Sequence, residues 1–84
     1  MSSIEKLKQK LKRRPKTFDM NDAHRILEYE GYLEDTSGKT SGSRIRFEDI
    51  NGVSFVFHKP HPNNELKSYV VNNLADFLEQ EGKL

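Results

Sequence analysis

Apolar and polar positions alternate along the chain with two different periods, and the change of period divides it into six segments. Over residues 2–14, SSIEKLKQKLKRR, the side chains Ile4, Leu7 and Leu11 recur at helical spacing, Ser2 or Ser3 can cap the start, and Pro15 stops the run. This predicts a basic amphipathic helix with a narrow apolar stripe. A second helix is predicted from about Asp19 to Glu30, with Asp19 as the cap, Met20, Ala23, Ile26 and Leu27 on the buried face, and Gly31 as the left-handed residue that ends it. Beyond Gly31 the period falls to two. A short strand is predicted around Tyr32–Asp35, then a second from about Ser43 to Glu48 in which Ile45 and Phe47 face one way and Arg44 and Arg46 the other. Asn51-Gly52 is a hairpin signal, after which VSFVFH returns with Val53, Phe55 and Phe57 on the core side. KPHPNNE reads as a loop, and a last helix from about Ser68 to Glu81 buries Tyr69 or Val70, Leu74, Phe77 and Leu78, with Gly82 as its stop.

The resulting order, α-α-β-β-β-α, predicts an α+β domain in which a three-stranded antiparallel meander packs under the second and last helices. A chain of 84 residues supports one core, so residues 1–84 are expected to form a single domain. The 32% charged residues put it near the polar edge of globular proteins, but five Phe and three Tyr are enough to build a core. The absence of cysteine excludes disulfides and thiolate zinc sites and makes a reducing cytoplasm the simplest compartment. No apolar run approaches the roughly 20 residues of a membrane span, and no signal core opens the chain, so no membrane association is expected.

A net charge of +1 conceals strong segregation. Residues 1–16 set Lys6, Lys8, Lys10, Lys12, Arg13, Arg14 and Lys16 against Glu5 alone, whereas residues 17–36 set six carboxylates against Arg25. Residues 37–67 are again basic, through Lys39, Arg44, Arg46, Lys59 and Lys67. Basic segments of this kind suit a polyanion such as RNA or DNA, and they equally suit a solvated helix face. For the first helix both readings stay open: an extra RNA-contacting arm, or a small helix that packs Ile4, Leu7 and Leu11 on the core while its cations face water.

The candidate chemistry lies in two stretches. GKTSGSRIRF, residues 38–47, lacks the spacing of a phosphate-binding P-loop and is followed by a strand rather than a helix. Lys39, Ser43, Arg44 and Arg46, joined by Lys59 and Lys67, are the candidate RNA- and phosphate-binding residues, and Gly38 and Gly42 allow close backbone approach. The competing reading is a flexible hairpin loop whose arginines solvate the outer face of the sheet. In HKPHP, His58 and His61 flank Pro60. Histidine titrates near neutrality without special tuning, so either could act as a general base or a general acid. His61 and His58 are therefore the candidate catalytic pair; alternatively they are surface hydrogen-bonding groups on a rigid loop. They make only half a zinc site, with Glu65 the one obvious carboxylate nearby, so neither a metal nor another cofactor is expected. His24, on the helix of the acidic segment, reads as structural.

ILEYEGY at 26–32, GKTSGSRIRF at 38–47, HKPHP at 58–62 and ELKSYVVNNLADFLEQEG at 65–82 together resemble the HicA (YcfA-like) family of bacterial toxins. The resemblance covers roughly residues 19–82, with residues 1–16 as a basic helix in front. It implies a double-stranded-RNA-binding-like α-β-β-β-α core, cytoplasmic mRNA interferase activity on single-stranded RNA, and inhibition of translation and growth until a HicB-like antitoxin binds. In the best-known members of that family a histidine follows the Gly-Ser pair and carries the cleavage chemistry. Here that position is Arg44, whose guanidinium stays protonated and cannot serve as a general base, and His61 falls roughly where family members carry a loop histidine. Two other functions stay open: a catalytically inactive RNA-binding module of the same fold, which Arg44 favours, or a plain interaction protein whose cations bind only an acidic partner.

Overall fold

Two helices of this chain end in the same way, and those endings set where the sheet begins and where the chain returns. The computed structural model describes residues 3–35, 44–60 and 63–84, which form three helices and five strands: α1 (Ile4–Lys12), β1 (Thr17–Asp19), α2 (Met20–Tyr29), β2 (Leu33–Glu34), β3 (Arg44–Glu48), β4 (Ser54–His58), β5 (Glu65–Lys67) and α3 (Ser68–Gln80). After α2, Gly31 takes φ +95°, the Gly31 N–H donates to the Glu28 carbonyl at 3.1 Å, and the Tyr32 N–H donates to the Leu27 carbonyl at 2.9 Å. This is a Schellman ending, which a side chain at Gly31 would strain. Gly82 repeats it after α3, with Lys83 donating to Leu78 at 2.8 Å. At the other end of α2, the Asp19 carboxylate accepts from the N–H groups of Asn21 and Asp22, as expected for its cap.

Strands β2, β3 and β4 form an antiparallel sheet in that order, with Ile45 opposite Phe57 and Phe47 opposite Phe55. Ile45, Phe47 and Phe57 are buried in one core with Ala23, Ile26 and Leu27 of α2 and Val71, Leu74 and Leu78 of α3. The architecture is thus α+β, with helices on one face of a three-stranded sheet, as the alternation predicts. The β3–β4 connection is organised by Asp49, whose carboxylate accepts from the N–H groups of Asn51 and Val53, so the turn is wider than a two-residue Asn-Gly hairpin. Val53 and Phe55 are half-buried and pack against the core. In α3 the alternative between Tyr69 and Val70 resolves to Val70: it is buried, whereas Tyr69 is 57% exposed.

The sequence pattern gives no hint of β1 and β5, which pair antiparallel as a separate two-stranded ribbon with Phe18 opposite Leu66, both buried. Three residues supply a single inward position per strand, too few to display a period. The ribbon is fastened where Met20 N–H donates to the Asn64 carbonyl at 2.8 Å.

The first helix packs Leu7 and Leu11 into the core, and Lys8 pairs with Glu30 at the end of α2. It closes on Arg14, a non-glycine residue at φ +51° placed immediately before Pro15. The left-handed conformation costs such a residue about 1–2 kcal/mol. The Arg14 guanidinium meanwhile spans the first and last helices, donating to Asp76 at 2.6 Å, to Glu79 at 3.2 Å and to the backbone and side-chain oxygens of Asn72. Tyr32 closes the other end of the core. It is fully buried, meets Phe77 edge-on, and its hydroxyl donates to Glu81 at 3.3 Å.

This packing has two measurable consequences for stability. Leu11→Ala, at a position with no exposure, is expected to destabilise the fold by about 2–5 kcal/mol, read from the urea midpoint. Burial, reinforced by the negative charge of Glu81, pushes the Tyr32 phenol up to about 12, so the folded chain keeps a proton that an unfolded tyrosine releases near pH 10. The Tyr32 contribution is therefore intact below pH 10 and lost as pH rises toward and past 12. Denaturation curves collected from pH 9 upward should fall more steeply for the parent than for Tyr32→Phe.

Candidate nucleic-acid interface

Burying Ile45, Phe47 and Phe57 obliges their neighbours to point away from the helices. The outer face of the sheet consequently carries Arg44 and Arg46 from β3 and Val56 and His58 from β4, with Arg44 directly opposite His58 and Arg46 directly opposite Val56. Residues so paired stand on the same side of the sheet, with Cβ atoms typically about 5 Å apart. Arg44 and His58 are both exposed. Arg44 makes no side-chain hydrogen bond or ion pair among the described residues, so its five donors are available to a ligand. Arg46 is only half exposed and its Nε lies 3.6 Å from Glu48 Oε1, which leaves it the weaker of the two candidate phosphate contacts.

His58 is also the last residue of β4, and there the chain leaves the sheet through Lys59 and Pro60. These residues face β5 and the first turn of α3 across a cleft of about 370 Å³. Thr17 of β1, Glu65 and Lys67 of β5, and Tyr69 also line it, while the buried side chains of Leu66 and Val70 form its floor. Lys67, the residue before α3, offers no side-chain cap to the helix, and the Lys67 and Lys59 side chains are exposed. The structure therefore brings four of the expected residues, Arg44, His58, Lys59 and Lys67, to one end of the molecule, where the outer sheet face meets the cleft. Lys39, Ser43 and His61 lie outside the described residues.

His24 stands apart from this group. Its Nε2 is 3.3 Å from Glu28 Oε2, one helical turn on, and its ring meets Phe47 edge-on at 5.0 Å. These contacts suit the structural reading. Among the described residues no set of three His, Asp or Glu side chains is grouped to hold a metal ion, and no helix is long and apolar enough to cross a membrane.

Tyr69 and Thr17 are among the lining residues that the sequence does not anticipate. Tyr69 is one of two neighbouring apolar candidates for a single buried position, and only the register of α3 decides that it faces out. Thr17 reaches the cleft because β1 pairs with β5, placing Thr17 opposite Lys67.

Against known families, residues 20–82 match the model of the HicA toxin of bacterial toxin-antitoxin systems. No curated protein and no solved structure matches the chain. The family match begins at the first residue of α2 and ends at the glycine that terminates α3, so it contains the whole three-stranded sheet, Arg44, His58 and all of the cleft except Thr17. The chain belongs to the HicA toxin family of bacterial toxin-antitoxin systems.

Proposed function

We propose that this protein is a metal-independent endoribonuclease that cleaves single-stranded mRNA, thereby arresting translation and growth, and that a HicB-like antitoxin binds and silences it in the cytoplasm. Family membership supplies the class. The observation that carries the reaction is the placement of His58 directly opposite Arg44, at the mouth of a cleft that also presents Lys59 and Lys67. Cleavage would proceed by attack of an RNA 2′-oxygen on the adjacent phosphorus. A base removes the 2′-hydroxyl proton, an acid protonates the departing 5′-oxygen, and the products carry a 2′,3′-cyclic phosphate and a 5′-hydroxyl. His58 and, by its place in the sequence, His61 are the candidates for the two proton transfers.

By the sequence resemblance Arg44 stands where the best-known family members carry a histidine, and its permanent charge fits it to hold the phosphate as negative charge builds up, not to move a proton. The same substitution favours a second reading, a module that binds RNA without cutting it. Retention of intact RNA by the parent chain would select that reading.

Two measurements test the proposal. Arg44→Ala and Lys59→Ala should each weaken binding to single-stranded RNA and reduce the slope of log affinity against log salt by about 0.7, with a smaller change for Arg46→Ala because Glu48 already engages that side chain. Unchanged slopes would place the phosphate contacts elsewhere. The parent should cut a labelled single-stranded RNA in the presence of EDTA, and His58→Ala or His61→Ala should slow cutting by about 10²- to 10⁴-fold with an unaltered circular dichroism spectrum. Full activity in a folded double variant would overturn the histidine assignment. Growth arrest on induction, relieved by co-expression of the neighbouring antitoxin, tests the toxin role.

A further inference from the structure

The cleft beside His58 is not built for phosphate throughout. Its floor, Leu66 and Val70, is apolar, and Glu65 contributes a carboxylate that would repel an anion placed against it. Tyr69 stands on its wall with 57% of its surface exposed, so its ring is accessible to a ligand in the cleft. The cations lie on the flanking residues: Lys59 follows His58, Lys67 precedes α3, and Arg44 faces His58 across the sheet. An aromatic face and an apolar floor bordered by positive charge are the two components with which proteins hold single-stranded nucleic acid, the bases stacking and the backbone following the cations. A carboxylate among them suits the N–H groups on the edge of a base.

We propose that this cleft is a nucleobase subsite, in which one unstacked base of single-stranded RNA lies on the Tyr69 ring above Leu66 and Val70, with its edge toward Glu65. The inference rests on the RNA-binding reading above and adds where the base next to the reacting phosphate sits. It also gives the enzyme its reason to prefer single strands, because a base held in a duplex cannot enter the cleft. The two lysines and Arg44 hold the flanking phosphates, so base and backbone contacts occupy separate residues and can be separated by substitution.

The chain contains no tryptophan, so Tyr69→Trp creates a single fluorescent reporter in the cleft. The ligands are 2′-O-methyl oligonucleotides, which bind without being cut, together with matching strands in which every base is replaced by an abasic sugar. The expected result is that the indole emission of the Tyr69→Trp variant is quenched by the base-containing strand and not by the abasic one. In parallel, Tyr69→Ala should weaken affinity by about 5- to 150-fold while leaving the salt slope at the parental value, and Tyr69→Phe should bind within a few-fold of the parent. The unchanged slope distinguishes loss of stacking from loss of a phosphate contact, and the exposed position keeps the core out of the comparison. If the parent binds the oligonucleotide but Tyr69→Ala binds equally well and the indole reporter does not respond, the base subsite is wrong and the RNA-binding reading stands. If the parent binds no oligonucleotide, both fall. A reporter response confined to the antitoxin protein would overturn the subsite in favour of a protein contact.

Discussion

The two-residue period of β3 and β4 is the constraint on which the molecule's surface chemistry depends. Each strand must bury its alternate side chains against α2 and α3, and the pairing of Ile45 with Phe57 fixes the register by which it does so. Slipping either strand by one residue would place arginines against the core and phenylalanines in water, exchanging several buried aromatic and aliphatic side chains for desolvated charges. Hydrophobic burial thus sets the location of Arg44 opposite His58, although neither residue contributes to it. Among the described residues the core is apolar apart from Tyr32, whose hydroxyl reaches Glu81, and the candidate site residues lie on the exposed rim.

Much of this is legible from the amino-acid order, because the long elements announce themselves. The apolar stripes of α1, α2 and α3, the glycines that close α2 and α3, and the alternation over residues 44–58 each rest on several positions that agree. The elements that the pattern does not reveal are those with one informative residue. Phe18 and Leu66 are each the sole inward side chain of a three-residue strand, and nothing local indicates that they should meet. Tyr69 shows the complementary limit: periodicity allows either of two adjacent apolar residues to face inward, and tertiary packing chooses Val70. The candidate site divides in the same manner. Charge and histidine content point to Arg44, His58, Lys59 and Lys67, while their gathering around one cleft, and the engagement of Arg46 by Glu48, depend on contacts between separate residues that no local pattern encodes.

The segment in front of the family match is integral to the fold. Leu7 and Leu11 complete the core between the helices, Lys10 lies over the Phe18 ring at 5.6 Å, and the Arg14 fork spans from α1 to α3. The basic charge of residues 1–16 is thereby partly committed to internal partners, Lys8 to Glu30 and Arg14 to Asp76 and Glu79. What looks in the sequence like a block of free cations is a helix fastened by some of them.

The β1–β5 ribbon carries one more implication, for the assembly of the cleft. It joins residues 17–19 to residues 65–67, and the cleft takes its walls from both partners and from the helix that follows. Until Leu66 and Val70 are in place, β1 has no partner and the cleft has no floor. Closing so long a loop is also the entropically costly step of assembly. The topology thus makes the cleft beside His58 depend on residues far apart in the chain, and on β5 and α3 being in place.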